Sequence, residues 1–311
     1  LFCVTATTAR QGVSDRTVRR AVVAVTQNKE PGRGVRSMMK LSRSAPLLAL
    51  VALAGACTDV AGILAPIPDG SNHPGFDTSI YPGDAAMRAW LAPRSPYEWV
   101  GYYLPASCHH DTSWSGRRAF LGSLGWGTAV LYVGQQTWEG VAVGPRLAPA
   151  MQRAAQSVTC SRTLLTGAQG TIEGLDAVAQ AANEGFAPGT VIYLDIEYMS
   201  TVTSAMREYY RSWVAQVLAD GRYVPGIYCH KSNAATLFSD VRSEFLAHAR
   251  LDSPRFWIAS QSGFSLDRPP TDVGHDFANV WQGRLDTTES WNGVSLNIDV
   301  NVADRASPSA R

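Results

Sequence analysis

Apolar positions between residues 74 and 304 fall into two alternating rhythms. Eight short runs rich in Val, Ile, Tyr, Phe and Trp read as strands, at about 75–79, 98–104, 128–134, 190–197, 223–229, 255–260, 277–282 and 294–301. Between the first six, the period becomes helical. Pro82-Gly83-Asp84 opens one helix toward Leu91, a second covers about 115–124, and a third, about 168–184, carries Ile172, Leu175, Val178, Ala179 and Ala182 on one stripe. A fourth spaces Val202, Met206, Tyr209, Tyr210, Trp213, Val214 and Val217 by three and four, and a fifth does so with Leu237, Phe238, Val241, Phe245 and Leu246. Strands alternating with helices predict βαβ crossovers and parallel pairing. The rhythm then breaks, because 262–276 contains Asp267-Arg268-Pro269-Pro270 and Gly274, and 283–293 is shorter still, so neither connection holds an ordinary helix. The expected fold is an α/β TIM-like barrel modified to five βα units followed by three strands lacking helices. An open doubly wound sheet is the runner-up, but no Gly-rich phosphate fingerprint sits between the first strand and helix.

The fourth strand carries the most specific chemistry, Val191-Ile192-Tyr193-Leu194-Asp195-Ile196-Glu197-Tyr198. Side chains two apart on a strand share a face, so Asp195 and Glu197 project together while Ile192, Leu194 and Ile196 project the other way. Carboxylates at the end of a core strand need pairing, hydrogen bonds or a water-filled cavity. A catalytic cleft is one answer, and a salt bridge or helix cap is the bland one. Barrel chemistry gathers at the carboxyl ends of the strands. Asp77 ends the first strand there, and Asp299 lies in the last, with Asn297 and Asn301 on its side. Closure sets the eighth strand beside the first, which brings Asp299 to Asp77 and predicts four inward carboxylates in one mouth. Tyr103, Tyr198, Trp281 and Gln282 are candidates to line it; Tyr103 and Tyr198 have core capping as their alternative. Trp114, Trp138 and Trp291 are candidate platforms for sugar rings, with packing beneath their own loops as the alternative.

Composition narrows the function classes. The 311 residues are 45% hydrophobic and 17% charged, enough for a full core, and the net charge of +1 gives no argument for nucleic acid. His109-His110-Asp111 resembles a metal cluster, but adjacent histidines on one loop seldom point at one ion, and no third ligand has suitable spacing; neither metal nor cofactor is expected. Residues 1–37 show no sustained period and read as disordered or an over-extended reading frame. Arg19-Arg20 there is followed by an apolar stretch too short for a twin-arginine signal. Residues 38–57 read as a signal peptide: Lys40 and Arg43, an apolar run over 45–54, and Ala54-Gly55-Ala56 as a cleavage site. Leu53-Ala54-Gly55-Ala56-Cys57 resembles the bacterial lipobox and makes Cys57 a lipidation candidate and a membrane anchor, with ordinary cleavage after Ala56 left open. Residues 58–73 read as a linker, 74–304 as the barrel and 305–311 as a polar tail. Export permits disulfides, and Cys108 with Cys160, both in loops, are the expected pair, leaving Cys229 on a core strand as a free thiol.

Gly75-Phe76-Asp77, Tyr193-Leu194-Asp195-Ile196-Glu197, Gly226-Ile227-Tyr228, Trp281-Gln282 and Asn297-Ile298-Asp299-Val300-Asn301, in this order across about 74–304, give a further signal. With these motifs the chain resembles glycoside hydrolase family 25, the Chalaropsis-type lysozymes, and more closely a secreted bacterial group with a glycoside-hydrolase-like domain of unknown function. The resemblance implies cleavage of the β-1,4 bond between amino sugars of peptidoglycan or a related envelope glycan, with Glu197 as proton donor, Asp195 as its partner, and Asp77 and Asp299 binding sugar or tuning the pair. It departs from the lysozymes at Ile80-Tyr81-Pro82-Gly83, where they commonly have a Gln-Gly turn, and in a long insertion around 135–165. A non-catalytic glycan-binding protein on the same scaffold is the competing class, and an amidase-like hydrolase using the same acids is a third.

Overall fold

The computed structural model describes residues 72–137 and 159–310, apart from 92 and 94. The expectations for the leader, for Cys57, for all but the last two residues of the linker and for Trp138 lie outside those residues. Eight strands close into a barrel in chain order: β1 (His73–Asp77), β2 (Trp99–Tyr103), β3 (Gly127–Val133), β4 (Val191–Ile196), β5 (Val224–His230), β6 (Arg255–Ala259), β7 (Ala278–Trp291) and β8 (Val294–Ala303). Neighbours from β1 to β7 run parallel, and β8 lies antiparallel to both β7 and β1. Among the described residues, five helices follow the first five strands: α1 (Asp84–Ala89), α2 (Arg118–Leu124), α3 (Gly167–Asn183), α4 (Ser204–Asp220) and α5 (Lys231–Ala247). Only a single 3₁₀ turn, Pro270–Val273, joins β6 to β7. The architecture is the one the hydrophobic rhythm predicts.

The interior is filled by aromatic rings from alternating positions. Trp257 meets Trp99 and Tyr193 edge-on at 5.5 and 5.8 Å. Room for Trp99 comes from Gly75, where an added Cβ would lie 2.1 Å from the indole. Outside, Phe76 packs on Trp90 and Tyr97 at 5.1 and 5.3 Å.

Two local expectations need correction. Residues 283–293, expected as a connection, continue β7 into a long hairpin whose turn is Asn292-Gly293, with φ of 51° and 81°; two successive positive φ values fit the twist of a tight hairpin. The hairpin reaches back to accept from Trp90 Nε1 at Val294 O (3.0 Å) and from Tyr97 Oη at Glu289 (2.8 Å), so it covers ground a helix would occupy. On α3, Ile172 and Leu175 are exposed, and the buried face is Gly170, Glu173, Gly174, Ala177, Val178 and Ala181. Small residues win that face because α4 approaches closely: a Cβ on Gly170 would lie 2.1 Å from Tyr209 O. In the polar tail, Ser309 is buried, accepts Val130 N at Oγ (2.7 Å) and Val191 N at its carbonyl (2.8 Å), and stoppers the amino-terminal end of β3 and β4. Cys108 and Cys160 are joined in a disulfide, and Cys229 is a buried free thiol.

Candidate active site

Alternation along β4 turns Asp195 into the barrel mouth, with Glu197 immediately beyond the strand, while Leu194 and Ile196 are buried on the other side. On the closing seam, Asp77 and Asp299 are directly opposed in the β1/β8 register. All four carboxylates line one cleft of about 280 Å³, together with Tyr103, Cys108, His109, Tyr228, Gln282, Leu285 and Asp286. A larger hollow of about 560 Å³ lies on the outer helices, beside the Arg211–Glu244 ion pair, and holds none of these acids.

Hydrogen bonds fix the acids unequally. Asp77 is held by three donors, Tyr103 Oη at 2.7 Å, Asn301 Nδ2 at 2.8 Å and Gln282 Nε2 at 2.9 Å. Asn301 is oriented by Trp257 Nε1 (2.9 Å) and Gln282 by Tyr228 Oη (2.6 Å), so each donor has its own support. Gly101 makes space for Asp77, since a Cβ there would come within 2.5 Å of the Asp77 Cβ. Asp299 accepts from Asp286 N at 2.7 Å and Gln282 Nε2 at 3.3 Å. The β4 end is pinned by Gln136, which donates to Asp195 O (2.8 Å) and accepts from Glu197 N (3.0 Å). Asp195 differs from the rest: its Oδ1 is buried with no hydrogen-bond partner.

Burial raises every one of these carboxyls, because the ionised form loses its hydration. Glu197 rises to about 7, with the charge of Asp77 as the added cause. Asp299 rises to about 8, again by burial and then Asp77. Asp195 is pushed well above the carboxylate range by burial, then by Glu197 and Asp77. Asp77 rises by burial against the pull of its three donors. Asp195 and Glu197 repel each other, as their two-residue spacing implies, and Asp77 adds its charge from across the mouth. The cleft therefore holds acids that keep protons near neutrality, which is what proton donation to a leaving oxygen requires.

Other expected residues fall in different places. Tyr103 and Gln282 face the cleft. Trp281, one position from inward Gln282, must face outward; it is fully buried under Phe264 (5.2 Å) and donates to Ser260 O (2.7 Å), away from the mouth. Tyr198 is 43% exposed and stands edge-on to His230, outside the cleft lining. Trp114 is buried against Tyr81 and Tyr102 and donates to Thr78 O, and Trp291 is half-buried in the hairpin, donating to Glu289. Among the described residues no three His, Cys, Asp or Glu are grouped to hold a metal ion. His109 instead walls the cleft, buried beside Tyr103 (5.1 Å) and held neutral, its pKa lowered by burial to about 4. Gln136 and Asp286 are the functional positions that sequence reasoning misses. Paired Gln directly after an apolar strand was the available signal for the first; an irregular strand gave none for the second.

A family model described as Rv2525c-like, glycoside hydrolase-like domain matches residues 88–303. No curated protein matches. The chain is similar in structure to an uncharacterized protein of B. stearothermophilus, at 16% identity and TM-score 0.48, over 75% of this chain and 96% of that one. It is similar to the spore cortex lytic enzyme SleM of Clostridium perfringens, at 11% identity and TM-score 0.48, over 76% and 68%. It is also similar to the Tat-secreted protein Rv2525c of Mycobacterium tuberculosis in complex with L-tartrate, at 16% identity and TM-score 0.44, over 74% and 94%.

Proposed function

The chain belongs to the Rv2525c-like, glycoside hydrolase-like domain family, and from that premise we propose that it hydrolyses β-1,4 linkages between amino sugars of an envelope glycan such as peptidoglycan. Glu197 is the proton donor and Asp195 its partner. The observation that carries this reading is the position of Glu197, at the carboxyl end of β4 in a cleft shared with four further acids, with its proton retained to about pH 7. Glu197 gives that proton to the glycosidic oxygen as the bond from the anomeric carbon breaks. With the proton of the coupled pair seated on Glu197 and Asp195 ionised, Asp195 either attacks that carbon or orients the neighbouring acetamido group to do so. Water then adds its hydroxyl to the anomeric carbon and returns a proton to Glu197, so one water is consumed for each new reducing end. Asp77, fixed by three donors, binds sugar hydroxyls and supplies the charge that holds the proton on Glu197.

The test is the purified protein with peptidoglycan and amino-sugar polymers, products read by mass spectrometry. Reducing ends should appear, and Glu197→Gln should lower the rate by about 10²–10⁴-fold. Binding without any release from the unsubstituted protein would make it a glycan-binding protein instead.

Export fits the same reading. Support comes from the Cys108–Cys160 disulfide, since such bonds persist in oxidising compartments, and from the signal-like pattern over 38–57. A lipid on Cys57 would hold the barrel at a membrane, where the mass of the mature amino terminus reports it.

A further inference from the structure

Resting on the glycosidase reading, we propose that the sugar the cleft selects carries a free amine, a de-N-acetylated hexosamine whose ammonium group is held by Asp286 and Asp299. Five carboxylates line the cleft, Asp77, Asp195, Glu197, Asp286 and Asp299, and among the described residues no Lys or Arg does. Overall composition does not explain this, because the whole chain carries a net charge of +1. A cleft lined by acids alone favours a cationic ligand, whose charge lets carboxyls that burial holds protonated ionise against it, and offers no counter-charge to an anion. Uronates, phosphorylated sugars and other anionic glycans are therefore disfavoured, and a neutral acetamido group leaves the carboxylates without a counter-charge.

The backbone is shaped to present two of these acids together. The β7/β8 register shifts between Arg284 and Thr287, and Asp286 in that irregularity has a φ of 52°, a left-handed conformation that Asp tolerates better than most residues. Its N–H donates to Asp299 Oδ1 at 2.7 Å, which sets the Asp286 side chain beside Asp299 at the cleft edge. Independently, Asp195 Oδ1 is buried in the same cleft without any donor from the protein. Buried acceptors are nearly always satisfied, and an aminosugar, with its ammonium and hydroxyls, brings the missing donors. An inorganic ion fits less well, since no three acids, His or Cys among the described residues are grouped to coordinate one. The acids are distributed around about 280 Å³, suited to a sugar with its charge on one substituent.

The experiment is isothermal titration of the full chain with glucosamine oligomers and with matched N-acetylglucosamine oligomers, repeated with calcium chloride, alongside digestion of chitosans of graded acetylation. The amine oligomer should bind about tenfold tighter, with the advantage shrinking at high salt. Asp286→Asn keeps the left-handed backbone and should cut that advantage about fivefold, and Asp286→Lys should abolish it. Equal or weaker affinity for the amine oligomer overturns the proposal, as does its displacement by calcium ion at millimolar level. Cleavage of acetylated polymers with no amine preference sinks this inference and leaves the glycosidase reading standing. Amine-selective binding with no cleavage does the reverse.

Discussion

Replacing Glu197 by Gln should stabilise the protein while destroying its activity, and the pH dependence of that gain is fixed by the site. The carboxyl moves from an ordinary 4.5 to about 7 on folding, with burial the main cause. Below pH 4.5 it is protonated in both the folded and the unfolded chain, so Glu and Gln should be equally stable. Between 4.5 and 7 the unfolded chain ionises while the folded one keeps its proton, so the native state binds more protons and stability falls as pH rises. Above 7 the penalty is complete. Held dry, the group would cost about 3 kcal/mol; Glu197 is half-buried at an open cleft, and water there brings the expectation to about 2 kcal/mol. Urea unfolding of both proteins at pH 4, 6 and 8 measures it. The difference should be near zero at the lowest pH, grow through the middle one and level off, with an unchanged denaturant slope. A gain independent of pH, or a loss at pH 8, would refute the claim that the fold holds this carboxyl against its own ionisation.

Gly101→Ala puts a methyl 2.5 Å from the Asp77 Cβ; about 1–3 kcal/mol of stability should be lost and kcat should fall, checked by denaturation and reducing-end assay. Gln136→Met removes the side-chain partner of both Asp195 O and Glu197 N, so stability should drop by about 1–3 kcal/mol, with kcat reduced more than KM is raised. Converting both Cys108 and Cys160 to Ser opens a loop spanning a sequence separation of 52, and a loss of about 4 kcal/mol should appear as a lower Tm. Ser309→Ala removes the acceptor of Val130 N at the opposite end of the barrel; stability should fall by about 1–3 kcal/mol while KM on any cleaved glycan stays put.

What the sequence revealed depended on whether a signal was local. Strand and helix periods are set by each element burying one side, so β1 to β6 and all five helices could be read from spacing alone. Asp195 and Glu197 were legible because a two-residue period fixes their side, and Asp299 because barrel closure dictates its neighbour. Trp281 misled: sitting next to Gln282 in a motif says nothing of its side, and alternation sends it outward. The α3 face misled for another reason. Hydrophobicity favoured Ile172 and Leu175, whereas close approach of α4 favours Gly170 and Gly174, a demand set by a partner helix thirty or more residues away. Gln136 and Asp286 act through backbone geometry that forms only once other strands are in place, and so does the seating of Ser309.

The pairing of β1 with β8, residue Asp77 against Asp299, has a bearing on how the chain is made. Until β8 and the plug at Ser309 arrive, the half-finished cylinder presents the open edge of β1, and the acids of the mouth are not yet gathered. Contacts so distant along the chain form slowly, and an exposed strand edge invites pairing with other molecules. The cylinder is therefore unsealed, and its acidic mouth unassembled, until the first and last strands meet.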